Sequence, residues 1–230
     1  TGGEGGTGLG AGGAGGSGGS GTGSGTGGGT GGTSTGTGTP TAVGGAPQTV
    51  EVRIDNGADD VEECLIAGEH CATPGSIYDY STDLELTDDP PWAGPQVVGI
   101  RFPNVGIPQG AIVTNAYVDF HADGASGLLT NLTIHAHDAD SGTAFSAALH
   151  DVTSRPQTSA SVDWAPTSWS NNVNYQTPNL APVVQELVSR SGWSMSSAIV
   201  FIIAGTGTRI ADSYEGAAQN APLLHVEFVN

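Results

Sequence analysis

"VVGIRFPNVGIPQGAIVTNAYVDFHAD", residues 97–123, decides the fold. Val98, Ile100 and Phe102 recur at every second position, and so do Ala116, Val118 and Phe120. A two-residue period places one apolar row on one face of a pleated strand, with polar residues on the other. "NVGIPQGA" between the two runs carries the Gly and Pro of a turn. The stretch therefore reads as strand, turn, strand.

The same period extends in both directions. "TVEVRID" sets Val50, Val52 and Ile54 on one face, and "DLELT" sets Leu84 and Leu86 against Asp83 and Glu85. "NLTIHAHD" turns Leu132, Ile134 and Ala136 inward, and "PLLHVEFV" does so with Leu224, Val226 and Phe228. "AIVFIIAG", residues 198–205, does not alternate and suits a strand buried on both faces. One helix is expected in "TPNLAPVVQELVSRSGW", with Thr177 as N-cap and Gly192 as its stop. Many strands, one short helix and frequent turns predict an all-β, antiparallel two-sheet β-sandwich or jelly roll over residues 48–230.

Residues 1–47 differ in kind. Of the 38 glycines in the 230-residue chain, 24 lie in residues 1–45, with Ser and Thr filling most of the rest. Such a tract has too little apolar surface to offset its ordering entropy, so alone it is a flexible linker. In "TSTGTGTPT", however, Thr33, Thr35, Thr37, Thr39 and Thr41 would share one side of an extended chain. These five and Thr22, Thr26 and Thr30 are candidate O-glycan acceptors, and the intervening glycines leave room for sugars or another backbone. Asn131-Leu132-Thr133 is an N-glycan sequon.

Charge limits the partners. The chain has no lysine, and after residue 47 its 22 acids exceed its 5 arginines by 17. That balance excludes nucleic acid and anionic membrane surfaces. No apolar run reaches the roughly 18 residues of a membrane span. A first residue other than Met points to removal of a preceding segment. Cys64 and Cys71, the only cysteines, fit a small disulfide loop and an extracellular setting.

In order, "VVGIRFPNVGIPQGAIVTNAYVDFHAD", "LTIHAHDAD", "VDWAPTSW", "TPNLAPVVQELVSRSGW" and "PLLHVEF" resemble the jelly-roll modules of large bacterial secreted proteins. These include the DNRLRE-type carbohydrate-binding ones. The resemblance covers about residues 49–230. It implies a sugar-binding or structural appendage, often with bound calcium.

Calcium needs six to eight oxygens from carboxylates and irregular backbone. "DNGADDVEE" and "DLELTDD" offer Asp60, Glu62, Asp83 and Glu85 as ligands, the alternative being a solvated acidic face. His135 and His137, with His121, form a weaker transition-metal set. Trp92 and Trp169 are candidate sugar-stacking rings, while Trp164, Trp169 and Trp193 also suit a core cap. No nucleophile elbow and no marked carboxylate pair point to an enzyme. Two roles are expected. One is a structural subunit of an extracellular filament or surface assembly, a head-to-tail homopolymer whose Gly/Thr arm is ordered by neighbours. There "AVGGAPQTVEVRI" would be the bridging strand. The other is a carbohydrate-binding module on a Gly-rich linker.

Overall fold

A computed structural model describes residues 45–230 of the chain. The O-glycan candidates Thr22, Thr26, Thr30, Thr33, Thr35, Thr37, Thr39 and Thr41 lie outside the described residues. The strands are β1 (Gln48–Arg53), β2 (Asp60–Cys64), β3 (Ile77–Tyr78), β4 (Asp83–Glu85), β5 (Asp88–Asp89), β6 (Gly94–Phe102) and β7 (Ile112–His121). Then come β8 (Asn131–Ala136), β9 (Val162–Trp164), β10 (Asn174–Gln176), β11 (Ile199–Thr206), β12 (Ile210–Asp212) and β13 (Leu223–Val229). Helix α1 (Ala181–Val188) precedes β11, and the single turn α2 (Tyr214–Ala217) follows β12.

One sheet has the order β1-β13-β7-β10; the other runs β3-β2-β6-β11-β8-β9, with β5 added to β6. Pairing is antiparallel throughout. Lettering β1, β6, β7, β8, β9, β10, β11 and β13 as B to I gives the sheets B-I-D-G and C-H-E-F, which is jelly-roll order. The expected all-β sandwich is thus the fold. The turn "NVGIPQGA" carries the chain from β6 in one sheet to β7 in the other. Strands β2 to β5 are an insertion between the first two letters, and β4 pairs with β12 as a separate ribbon.

Burial follows the sequence period. Val98, Ile100, Phe102, Ala116, Val118, Phe120, Ile134, Leu224, Val226 and Phe228 fill the space between the sheets. Central strand β11 is buried on both faces. Ile199, Phe201 and Ile203 face the sandwich core, while Val200 and Ile202 join Val61, Val97, Phe145 and Val152 in a second cluster. Phe145 and Val152 come from the irregular segment 138–158, which covers the outer face of this sheet. Gly99 in β6 makes room for it: a Cβ there would stand 2.6 Å from the Phe145 ring.

Buried Glu63 of β2 ties that cover to the sheet, and buried Arg155 braces the cover internally. Glu63 accepts hydrogen bonds from the amides of Val152 (2.9 Å) and Thr153 (2.8 Å), and from the Thr153 hydroxyl. Arg155 donates to the carbonyl of Thr143 (2.8 Å) and pairs with Asp151 (3.2 Å), with its guanidinium 4.5 Å from the Phe145 ring centre.

Helix α1 starts later than expected. Thr177 does not cap it, because its hydroxyl accepts from the Val118 amide in β7 (3.1 Å). Asn179 takes the local role, accepting from the amides of Ala181 (2.8 Å) and Ala116 (3.0 Å). Pro182 in the first turn suits the helix start. Leu180, Val183, Val184, Leu187 and Val188 are buried as the helical spacing predicts.

Candidate functional site

Strand β2 holds most of the acids in "DDVEEC", and all five of its residues are buried. Alternation sends Val61 and Glu63 to the outer cover, and Asp60, Glu62 and Cys64 to the opposite face. On that face Glu62 Oε1 accepts from the Glu85 amide (2.8 Å) and from Gln96 Nε2 (2.7 Å). Glu85, expected on an outer face, is half-buried and its carboxyl hydrogen-bonds that of Glu62. Burial, then the facing Glu62 charge and Asp83, drive the Glu85 carboxyl far above the ordinary carboxylate range. Burial also raises Glu62, against the hydrogen bonds it accepts. The pair therefore retains a proton at neutral pH.

Asp60 sits apart from this pair. Its Oδ2 accepts from the Tyr214 amide (2.8 Å), while Oδ1 is buried without a hydrogen-bond partner among the described residues. Burial, opposed by that amide, pushes its carboxyl up to about 7. Next to it, Asp59 pairs with Arg101 at 2.7 Å.

A cavity of about 430 Å³ opens beside the acid pair. Glu62 and Gln96 line it from the sheet, Tyr78 and Tyr80 from β3 and the turn after it, and Asp89 from β5. The remaining wall is the loop closed by the Cys64–Cys71 disulfide, which contributes Glu69 and His70. The two tyrosine rings meet edge to face, 5.8 Å apart. The Tyr78 hydroxyl donates to the His70 carbonyl. Outside, Trp92 is 47 % exposed and stacks on His70 at 4.9 Å. Burial raises the Asp89 carboxyl, against the Ala93 amide that donates to it.

The disulfide thus borders the cavity as well as pinning the loop. Replacing Cys64 and Cys71 together with serine is expected to destabilise the domain by about 2–3 kcal/mol. Urea unfolding of both forms checks this, and an unchanged midpoint would show that the loop is held without the bond.

The structure separates several expected partners. Asp60, Glu62, Asp83 and Glu85 do not converge as a calcium cage. Among the described residues no three His, Cys, Asp or Glu side chains are placed to hold a metal ion. The reason is local: Asp60 turns to Tyr214, and Glu62 commits its Oε1 to the Glu85 amide and Gln96. His121 binds Asp212 (2.5 Å) in one sheet, while His135 faces the Thr158 carbonyl (3.0 Å) in the other. Trp169 is 2 % exposed, and Tyr175 stacks on it at 4.9 Å. Trp164 and Trp193 are core residues, as the alternative reading had it. Asn131 is exposed at the start of β8, with the sequon's Thr133 hydroxyl donating to Asp163 (2.9 Å).

The cavity itself was not legible in the sequence. Its residues come from four strands and three loops with no common period. The nearest signal was the overlap of "ECLIAGEHC" with an acidic run. Among the described residues, no helix is long and apolar enough to cross a membrane. In comparisons with known proteins, no family model matches the chain and no curated protein aligns with it. The DNRLRE-type resemblance therefore rests on the sequence blocks alone, and the site is read from its own geometry.

Proposed function

We propose that the chain is a structural subunit of an extracellular filament or surface assembly, joined to its neighbours by strand addition at β1. The carrying observation is the open edge of that strand. Among the described residues, β1 is the longest terminal strand of either sheet and pairs on one side only, with β13. The Ile54 amide donates to the Pro222 carbonyl (3.1 Å), so by antiparallel alternation Val50 and Val52 also bond toward β13. Thr49, Glu51 and Arg53 then point their amides and carbonyls away from the sheet, as a template for another strand. The apolar row is also unfinished there: Val50 and Val52 are half-buried, whereas their partners Val226 and Leu224 are fully buried.

This reading changes the expected bridge. The strand portion of "AVGGAPQTVEVRI" is already paired within its own sheet, so it serves as acceptor. The Gly/Thr arm of the next copy would be the donor, since main-chain hydrogen bonding asks for little from its side chains. Repeated head to tail, such a contact builds an open fibre. O-glycans on alternate threonines would lie on the face turned outward, and the expected calcium is not needed for the contact.

Two variants test it. A chain lacking residues 1–45 should fold but stay monomeric under negative-stain microscopy. Thr49→Pro should do the same, because it removes an outward amide and leaves the β13 ladder whole. Normal filaments from either would overturn the proposal. One observation favours the second role, carbohydrate binding: an exposed Trp92 beside a cavity of ligand size.

A further inference from the structure

We infer that the cavity beside the disulfide loop binds an organic cation, an ammonium group on a small hydroxylated body such as an amino sugar. This rests on the carbohydrate-binding reading and adds the charge of the ligand. The lining is rich in acceptors. Glu62, Glu69 and Asp89 contribute carboxyls, and no arginine or lysine lines the cavity. Gln96 adds a fourth acceptor. It is 2 % exposed, and its Nε2 is committed to Glu62 Oε1 (2.7 Å) and the Glu85 carbonyl (2.9 Å). Those two bonds fix the amide orientation and leave its Oε1 without a donor among the described residues. Burial raises the Glu62 and Asp89 carboxyls, and His70 beside Asp89 opposes the second shift only in part.

A site of acceptors selects a ligand of donors. An ammonium group brings three N–H donors and no acceptor. Tyr78 and Tyr80 supply ring faces and edges of the kind that hold organic cations. The Ser81 side chain and the Tyr80 hydroxyl remain for a hydroxylated body. A polyanionic sugar is the wrong charge for this cavity and for a body whose acids exceed its arginines by 17.

The test is calorimetric titration of the full chain at low ionic strength with glucosamine, N-acetylglucosamine and choline. Glucosamine is expected to bind, and N-acetylglucosamine, which lacks the charge, at least about tenfold more weakly. Glu69→Gln, at an exposed position in the disulfide loop, and Asp89→Asn should each weaken glucosamine. Choline binding alongside glucosamine assigns recognition to the ammonium group alone; glucosamine without choline shows that the sugar body is also read, and both support the inference. N-acetylglucosamine binding as tightly as glucosamine overturns it while leaving carbohydrate binding in place. No binding by any of the three overturns both.

Discussion

Arg209→Leu is expected to destabilise the domain by about 4 kcal/mol. Arg209 is 2 % exposed and is among the largest fully buried side chains. Its Nε donates to the Thr167 carbonyl (2.9 Å). One terminal nitrogen reaches the carbonyls of Leu128 (2.9 Å) and Thr208 (2.7 Å) and the Thr130 hydroxyl (2.7 Å), and the other reaches the Pro166 carbonyl (2.8 Å). No carboxylate joins this set. Carbonyl dipoles from three separate stretches carry the charge: the turn before β8, the loop after β9 and the turn before β12. Leucine fills the volume but supplies no donor, and each buried acceptor left unsatisfied costs about 1–3 kcal/mol. Lysine keeps the charge but not the planar fork, so Arg209→Lys should recover less than half the loss. Urea unfolding should show a lower midpoint at unchanged slope. A loss under about 1 kcal/mol for Arg209→Leu would mean that water replaces the guanidinium and that the three stretches hold without it.

What the sequence revealed depended on how local the cause was. Period-two runs placed Ile100, Phe120, Ile134 and Val226 inward because a strand with one wet face has no other way to bury them. The uniform run "AIVFIIAG" similarly announced a strand covered on both sides. Its outer cover was not legible, since Phe145 and Val152 stand seven residues apart in an irregular segment. Acid placement failed for a related reason. A run such as "DDVEE" reads as solvated because most carboxylates are, and burial here is set by partners far away in the chain. Glu63 finds Val152 and Thr153, Asp60 finds Tyr214, and Glu62 finds Glu85 and Gln96. Trp169 also suits a core cap, whereas Trp92, flanked by prolines and acids, reads as the exposed ring. Tyr175 closes over the first, whereas the second is left on the rim of a cavity made by the disulfide loop.

The buried carboxyls also set how stability changes with pH, and the domain is expected to lose a few kcal/mol of stability between pH 5 and pH 8. Asp60 and the Glu62–Glu85 pair hold their protons to higher pH in the folded chain than in the unfolded one. Between the unfolded and folded values the native state binds more protons, so stability falls as pH rises. Below about pH 4 both states are protonated and this contribution is complete. It is lost as pH rises toward 7, the value to which Asp60 is pushed. One pKa unit corresponds to about 1.4 kcal/mol, so even a fraction of these shifts is measurable. Glu85→Gln separates this cause from general repulsion in an acidic chain. The amide imitates the protonated acid and can still donate to Glu62, so the variant should match the parent at pH 5 and melt higher at pH 8. Glu85→Leu should lower stability at both values, because it takes a hydrogen-bond partner from Glu62. A Glu85→Gln variant whose melting temperature tracks the parent across the whole range would show that the pair carries no excess proton. The pH dependence would then come from the surface acids alone.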